Sequence, residues 1–212
     1  MMYYSASMNT LDESLMNAVK EGKLLESSRT NIRLLLDGTE SPIAREAVEE
    51  LAAAGEWQEL NDRFYKTLAF GTGGLRGRTI GSIVTRAEQG NGGVNGRPEY
   101  PCVGTACMNY FNVGRAMRGL IIYVNKHVEA TDPGRKPRLV IGHDTRHFSR
   151  DFAEFCAKIG TDLGCDIYLF DSPRATPEIS FAIRELHADS GVVLTASHNP
   201  CLLYTSDAAD EL

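Results

Sequence analysis

The sequence predicts an α/β fold, in which a mixed sheet containing a βαβαβ unit is sandwiched by helices and preceded by a helical N-terminal extension. Two observations predict it. After Pro137, short apolar runs alternate with amphipathic stretches of helical length, the pattern of strands joined by helical crossovers. Before Leu68, apolar residues recur at steps of three and four, and no run has the pattern of a strand.

Residues 1–68 are predicted to form the helical extension. Ser41 followed by Pro42 is typical of a helix N-terminus, and Gly55 is placed to end that helix. The apolar positions at helical spacing are Leu11, Leu15, Val19, Leu24, Trp57, Leu60, Phe64 and Leu68. Such stripes are more typical of core packing than of a ligand-binding surface.

Residues 69–200 are predicted to form the α/β domain. A long helix is expected from about residue 105 to about residue 128. Strands are expected at 138–142, 166–170 and 191–195, joined by helices at 149–163 and 176–186. Parallel strands connected in this way are expected to have right-handed crossovers.

The loops that follow these strands are the predicted location of the chemistry. Ligands of parallel α/β sheets bind beyond the carboxyl ends of the strands. Those ends lead into residues 142–146, 171–174 and 196–200.

Composition and charge exclude several classes of function. The formal net charge is -6 and the basic residues are scattered, which disfavours nucleic-acid binding. No apolar stretch is as long as a membrane-spanning helix, and the N-terminus lacks the features of a signal peptide. These observations predict a cytoplasmic protein without nucleic-acid or membrane partners.

The five cysteines have no close metal-ligand spacing and are expected to be reduced thiols. They are Cys102, Cys107, Cys156, Cys165 and Cys201. No basic residue stands beside Cys102 or Cys107 in the sequence, so neither thiol is expected to be activated.

Ser197 follows the third predicted strand, in a turn that ends at Asn199 and Pro200. Its hydroxyl would be exposed there, with backbone amides available to an anion. The Gly-x-Ser-x-Gly pattern of serine hydrolases is missing, and the adjacent His198 would point away from Ser197 in an extended segment. The residues by themselves leave open a phosphate-carrying serine and an ordinary turn serine.

Four segments carry a family resemblance. They are Phe70-Gly-Thr-Gly-Gly-Leu-Arg-Gly77, Gly142-His-Asp-Thr-Arg146, Ala175-Thr-Pro177 and Thr195-Ala-Ser-His-Asn-Pro200. In this order they resemble motifs of the α-D-phosphohexomutases, the phosphoglucomutase and phosphomannomutase superfamily. The last resembles the phosphoserine loop and the first resembles the substrate-side loop. The resemblance covers residues 70–200 and implies the phosphohexomutase domain I fold.

The resemblance implies an isomerase of carbohydrate metabolism, an intramolecular phosphotransferase that interconverts sugar 1-phosphates and 6-phosphates. The phosphorylated serine would donate its phosphoryl group to a sugar phosphate, and the resulting bisphosphate would return its other phosphate to the serine. Mg2+ and a sugar bisphosphate activator are the implied cofactors. A phosphopentomutase-type member and a non-catalytic sugar-phosphate-binding domain stay open as alternatives.

The same resemblance implies roles for individual residues. Ser197 and His198 are the expected catalytic residues, with His198 assisting proton transfer or contacting phosphate. Arg76 and Asn199 are expected to bind the substrate. The planar guanidinium of Arg76 suits phosphate oxygens.

Two further roles concern the metal and the loop after the first strand. The phosphate on Ser197 would be one ligand of Mg2+. Asp144 and Arg146 are expected to form a structural ion pair that holds their loop.

The segment 201–212 departs from the family pattern, which continues to a Gly-x-Lys segment. It matches one reading frame of a sequencing-library adapter and is expected to be an artefactual tail. The chain would then be a first domain truncated after Pro200, without domains II–IV and the remaining metal ligands. Such a fragment is expected to be inactive by itself.

Overall fold

The computed structural model describes residues 3–71 and 73–195, which form two compact units that meet in the sequence between Asn109 and Tyr110. The first unit contains helices α1 (Tyr3–Lys20), α2 (Glu26–Asp37), α3 (Pro42–Ala54), α4 (Trp57–Phe64) and α5 (Arg86–Gln89), and a 3-10 turn at Val94–Gly96. The second unit contains α6 (Tyr110–Thr131), β1 (Arg138–His143), α7 (Ser149–Asp162), β2 (Asp166–Leu169), α8 (Thr176–Glu185) and β3 (Ser190–Leu194).

The helices of the first unit follow the apolar spacing of the sequence. Helix α3 begins at Pro42 and ends before Gly55, whose φ of +74° is a left-handed conformation that favours glycine. The apolar side chains with at most 3% exposure from these helices include Leu15, Ile32, Leu51, Leu60 and Phe64. The predicted helical extension is therefore helical as far as α4.

The predicted stripe after Trp57 is only partly helical. Helix α4 ends at Phe64, and the buried Leu68 belongs to the irregular segment that follows. The amide of Leu68 donates to the carbonyl of Thr105 at 2.9 Å, so the chain at this point is held by a segment distant in sequence.

The sheet of the second unit confirms the predicted α/β class. Strand β1 is central and pairs in parallel with both β2 and β3, in the order β2-β1-β3. Each of these strands lies within one residue of its predicted bounds. Helix α6 begins at Tyr110, five residues later than expected, because the preceding residues form a buried irregular turn.

Helices cover both faces of this sheet. Val140 of β1 packs in one cluster with Ile179 and Ala182 of α8. On the opposite face, Leu139 pairs in register with Ile167 of β2, and the Cδ1 atom of Ile167 lies against Gly160 of α7. The alternation of side chains along β1 therefore divides the core between α8 and α7.

No helix among residues 3–71 and 73–195 combines the length and apolar character needed to cross a bilayer.

Asp189 joins the amino ends of β1 and β3. Its carboxylate accepts two hydrogen bonds from the guanidinium of Arg135, at 3.0 and 2.6 Å, and a third from the amide of Arg138 at 2.8 Å. The hydrogen bonds from Arg135 and from the Arg138 amide outweigh partial burial and lower the pKa of Asp189.

Replacement of Asp189 by asparagine is expected to remove a pH-dependent part of the stability. A carboxyl group with a lowered folded-state pKa stabilises the fold above its unfolded-state pKa of about 4, and this contribution is lost as the pH falls through the folded-state value. The difference in unfolding free energy between the wild type and Asp189→Asn should therefore be largest at neutral pH and should close in acid. Urea unfolding across this pH range measures it.

The matched control is Asp162→Asn, because Asp162 is exposed and, among the described residues, its carboxylate pairs with Lys158 alone, on the same helix. The expectation would be contradicted if the difference in unfolding free energy between the wild type and Asp189→Asn were the same at neutral and at acid pH.

Candidate functional site

The glycine-rich segment 70–77 in the first unit forms a tight turn. The amides of Gly71 and Gly74 each donate to the other's carbonyl at 2.9 Å, and Gly73 has a φ of +84°. Nothing lies within 4 Å of the positions that side chains at Gly71, Gly73 or Gly74 would occupy. The backbone of the turn is therefore open to close approach by a ligand.

Arg76, the substrate-binding residue predicted from the sequence, is exposed on this segment. Its guanidinium makes no hydrogen bond or ion pair with the described residues. An exposed guanidinium without a carboxylate partner has all of its donors available to an anion.

Residues 102–108 hold both ends of the glycine-rich segment. Before it, the amide of Leu68 donates to the carbonyl of Thr105; after it, the amide of Cys102 donates to the carbonyl of Thr79 at 2.8 Å. The amide of Met108 donates to the carbonyl of Arg78 at 2.9 Å. The position of the turn consequently depends on a segment that begins more than 20 residues further along the chain.

A buried charge cluster lies beneath these contacts. The fully buried guanidinium of Arg63 donates to Glu59 Oε1 at 2.7 Å and to Glu88 Oε1 at 2.6 Å, and it also donates to the carbonyl of Ile83. Arg78 Nη2 lies 3.1 Å from Glu59 Oε1. Two guanidinium groups and two carboxylates thus neutralise one another inside the unit.

The cluster joins four parts of the chain. Glu59 and Arg63 come from α4 and Glu88 from α5, and Glu88 Oε1 also accepts from the amide of Val103 at 2.7 Å. Although burial by itself disfavours a charged guanidinium, the surrounding negative groups raise the pKa of Arg63 above its ordinary value. Arg63 is therefore a fixed positive charge in the core.

The expectation that neither Cys102 nor Cys107 is activated is wrong for Cys107, whose pKa is lowered. The positive charges of Arg63 and Arg78 act on the Cys107 sulfur, and Arg78 also donates a hydrogen bond to it. Both arginines are distant in sequence from the cysteines, so inspection of adjacent residues could not find them. The two sulfur atoms lie 3.2 Å apart.

In the second unit, the loop after β1 is bonded to the loop after β2 and to the last residue of β3. The amide of Asp144, just after β1, donates to the carbonyl of Leu194 at the end of β3, at 3.0 Å. The amide of Arg174, in the loop after β2, donates to the carbonyl of His143 at 3.0 Å. Two of the three predicted loops therefore meet at one edge of the sheet, beside the point where the chain leaves β3.

Asp144 holds the loop between β1 and α7. Its Oδ1 atom accepts from the amide of Arg146 at 2.9 Å and from the hydroxyl of Ser149 at 2.6 Å. Arg146 Nε lies 3.6 Å from Asp144 Oδ2, the distance of an ion pair. Ser149 is the first residue of α7, and its hydroxyl bonds back to Asp144.

Phe148, at the N-cap of α7, has a φ of +66° and is buried against Phe152. A left-handed conformation in a bulky non-glycine residue costs about 1–3 kcal/mol and persists only when its surroundings impose it. The stacking of the two rings, with centroids 5.8 Å apart, holds this conformation. The sequence contains no signal for it.

Arg174 is a further candidate that the sequence analysis did not single out. Its side chain stands at the carboxyl edge with a third of its surface exposed, 3.5 Å from Glu178 Oε2 and 3.7 Å from Asp171 Oδ1. The available signal was a basic residue inside a predicted strand-end loop. Its pairing with two carboxylates makes it a weaker anion ligand than Arg76.

The predicted residues Ser197, His198 and Asn199 lie outside the described residues, as does the expected tail 201–212. The described part of the chain reaches Thr195, one residue beyond β3. Among residues 3–71 and 73–195, no group of three or more His, Cys, Asp or Glu side chains is arranged to hold a metal ion. The described residues therefore offer no protein ligand set against which Mg2+ can be placed.

Replacing Arg63 by leucine is expected to lower the unfolding free energy by about 3–5 kcal/mol, because it leaves buried carboxylates without their partner. Urea unfolding measures the change. Glu88→Gln, which keeps the shape and part of the hydrogen bonding, should lower the free energy less and serves as the second variant if Arg63→Leu does not fold.

The matched control for Arg63→Leu is Arg86→Leu, since the Arg86 side chain is 94% exposed and lies 3.7 Å from Glu50. Its loss should change the stability by less than about 1 kcal/mol. Equal effects of the two leucine substitutions would contradict the importance of the buried cluster.

Comparison with known proteins relates these features to a family. Residues 86–202 match the family described as "Phosphoglucomutase/phosphomannomutase, alpha/beta/alpha domain I". The chain is 35% identical over 143 residues to the phosphoglucomutase of Staphylococcus epidermidis (strain ATCC 12228 / FDA PCI 1200), which covers 68% of this chain and 21% of that protein. It is 32% identical over 156 residues to the phosphoglucomutase of Staphylococcus aureus (strain bovine RF122 / ET3-1), which covers 71% of this chain and 23% of that protein.

The chain thus spans about a fifth of the length of these relatives. No solved structure matches it.

Proposed function

The chain belongs to the phosphoglucomutase/phosphomannomutase family, and we propose that its parent protein interconverts sugar 1-phosphates and 6-phosphates with Ser197 as the phosphoryl carrier. The parent is proposed to act in the cytoplasm, and the chain alone is proposed to be inactive. The relatives named as phosphoglucomutases support the enzyme class.

The observation that carries the proposal is the position of the Ser197 loop in the sheet topology. In the order β2-β1-β3, the crossover from β1 to β2 runs one way along the sheet and the crossover from β2 to β3 runs the other way, so the boundary between β1 and β3 is a topological switch point. Ligands of doubly wound sheets bind at such points, beyond the carboxyl ends of the strands. Ser197 follows the end of β3 by three residues, and Asp144 bonds to that same strand end.

The proposed reaction transfers one phosphoryl group in each direction. The bond between phosphorus and the Ser197 oxygen breaks as a sugar hydroxyl oxygen bonds to that phosphorus, and the hydroxyl proton passes to a base. The departing serine oxygen takes up a proton. The bisphosphate then presents its other phosphate to Ser197 and the same exchange runs in reverse, so that serine is phosphorylated again.

His198 and Asn199 are proposed to assist on the same loop, His198 by holding a proton and Asn199 by contacting the substrate. Mg2+, when bound, would supply positive charge to the phosphate oxygens, with the phosphate on Ser197 as one ligand. Strands β1 and β3 and the Asp144 loop are proposed to support the loop that carries Ser197.

Arg76 is proposed to bind a phosphate group of the substrate. Its guanidinium is exposed and has no partner among the described residues, and it follows a turn whose glycines leave the backbone open. A guanidinium can donate two parallel hydrogen bonds to a phosphate, which both holds the group and orients it.

Phosphopeptide mass spectrometry of the complete parent protein tests the role of Ser197. We expect phosphate on Ser197, and we expect Ser197→Ala to reduce mutase turnover by roughly 10³-fold or more, because the covalent carrier is removed. Ser172→Ala is the matched control, since Ser172 is a half-buried serine in the loop after β2 whose hydroxyl bonds to Asp171. An active parent protein without phosphate on Ser197 would refute the mechanism.

Steady-state kinetics of the parent protein test Arg76. Arg76→Ala is expected to lower kcat/KM for the sugar phosphate by about 10- to 100-fold, the loss of a charge-assisted hydrogen-bonded contact. Arg76→Lys should retain part of the activity, because it keeps the charge and loses the two-pronged geometry. Arg86→Ala, at another exposed arginine of the first unit, should leave kcat/KM unchanged, and a loss there equal to that of Arg76→Ala would argue for a general charge effect.

A further inference from the structure

Two buried thiols of the first unit are in contact. The Sγ atoms of Cys102 and Cys107 lie 3.2 Å apart, with 2% and 0% of the respective residues exposed. A disulfide bond is about 2.05 Å long, so the sulfur atoms would need to approach by only about 1 Å. Four residues separate the two cysteines in an irregular turn, which can accommodate a shift of this size without disturbing a helix or strand.

The surroundings of the two sulfur atoms differ. The Cys102 thiol donates a hydrogen bond to the Cys107 sulfur, and this bond lowers the pKa of Cys107. Burial of Cys107 opposes the shift, whereas the positive charges of Arg63 and Arg78 lower the pKa of Cys107 further. The same hydrogen bond, together with burial, raises the pKa of Cys102 well above its ordinary value. The hydrogen bond between the two sulfur atoms and the nearby guanidinium groups therefore favour the thiolate form at Cys107 over that at Cys102.

We propose that Cys102 and Cys107 are a reversible thiol modification site that forms an intramolecular disulfide, with Cys107 as the attacking and Cys102 as the resolving residue. The inference rests on the geometry of the first unit and does not depend on the proposed mutase activity.

The oxidant class that suits this site is a small hydroperoxide, because both sulfur atoms are buried and only a molecule of nearly water size could reach them through local opening. The Cys107 thiolate attacks one oxygen of hydrogen peroxide, and the O–O bond breaks to give Cys107 sulfenic acid and hydroxide. The Cys102 sulfur then attacks the Cys107 sulfur and displaces the hydroxyl group as water. In total, two thiols and one peroxide give one disulfide and two water molecules.

The site lies in the segment that positions the glycine-rich turn. Cys102 bonds through its amide to Thr79, and Met108, next to Cys107, bonds through its amide to Arg78. The disulfide would therefore join Cys102, which itself bonds to the chain just after the segment 70–77, to the residue that precedes Met108, which does the same.

A buried cysteine of the second unit, Cys156, provides an internal control. Cys156 is 1% exposed, and burial raises its pKa to about 12. It matches Cys102 and Cys107 in burial and has no cation or second thiol among the causes of its shift. The extent to which peroxide oxidises Cys156 therefore measures the reactivity of a buried thiol whose pKa is shifted by burial alone.

Peroxide treatment of the 212-residue chain, followed by alkylation under denaturing conditions and peptide mapping, tests the proposal. Cys102 and Cys107 fall in one tryptic peptide, residues 87–115, because trypsin does not cut between Arg97 and Pro98. We expect this peptide to lose both alkylation sites together and two hydrogens in mass, and to regain both sites after treatment with a dithiol reductant. Cys156 should stay alkylated throughout.

Single variants distinguish the two roles. In Cys102→Ser, Cys107 should be trapped as sulfenic acid by dimedone and no disulfide should form. In Cys107→Ser, Cys102 should remain reduced at the same peroxide dose. If either variant unfolds, by circular dichroism, the wild-type peptide map decides alone.

Two results would overturn the proposal in a wild-type chain that keeps its native circular dichroism. One is oxidation of Cys156 at a dose that leaves Cys102 and Cys107 reduced. The other is conversion of Cys107 to sulfinic or sulfonic acid without a cross-link to Cys102.

Discussion

The arrangement of the α/β unit depends on the pairing of the central strand β1 with both of the other strands. Because β1 pairs in parallel with β2 on one side and with β3 on the other, all three strands point the same way. Their carboxyl ends consequently share one edge, where the backbone bonds from Asp144 to Leu194 and from Arg174 to His143 tie the loops together. Asp189 performs the corresponding function at the amino ends, where its carboxylate binds Arg135 and the amide of Arg138.

The first unit uses a different device. Its glycine-rich turn has little packing of its own, since the turn glycines face open space. The turn is positioned instead by backbone bonds to residues 102–108, and that segment rests on the buried cluster of Arg63, Glu59, Glu88 and Arg78. Buried charges stabilise a fold only when they are fully paired, and here every charged atom of Arg63 has a carboxylate or carbonyl partner. The same arginines act on the thiol pair, so the support of the turn and the chemistry of the cysteines share one electrostatic source.

Phe148 and Asp144 show how local strain is maintained beside the strand ends. The left-handed backbone of Phe148 is imposed by ring packing against Phe152, and Asp144 satisfies the polar groups of the loop that leads to it. The one left-handed residue of this loop thus lies between a buried ring contact and a carboxylate that accepts hydrogen bonds from the loop and from α7.

The strands of the sheet, most of the helices and the protein family could be predicted from the amino-acid sequence. Periodicity placed β1, β2 and β3 to within one residue, since apolar runs of four to six residues between polar loops have few other uses in a chain of this composition. Short motifs sufficed to identify the family, because their residue types and order are rarely met together. Helix α6 began later than predicted, because the turn before it is equally apolar and periodicity does not distinguish a buried turn from a helix.

The contacts between residues that are distant in the sequence could not be predicted and are seen in the folded structure. Arg63 pairs with Glu88 across 25 positions and lies beside Cys102 across 39, and no spacing rule connects them. The interpretation of Cys107 as an unactivated thiol failed for this reason, since the charges that act on a sulfur atom are those near it in space. Local sequence determines local structure, whereas electrostatics depends on distances that exist only after the chain has folded.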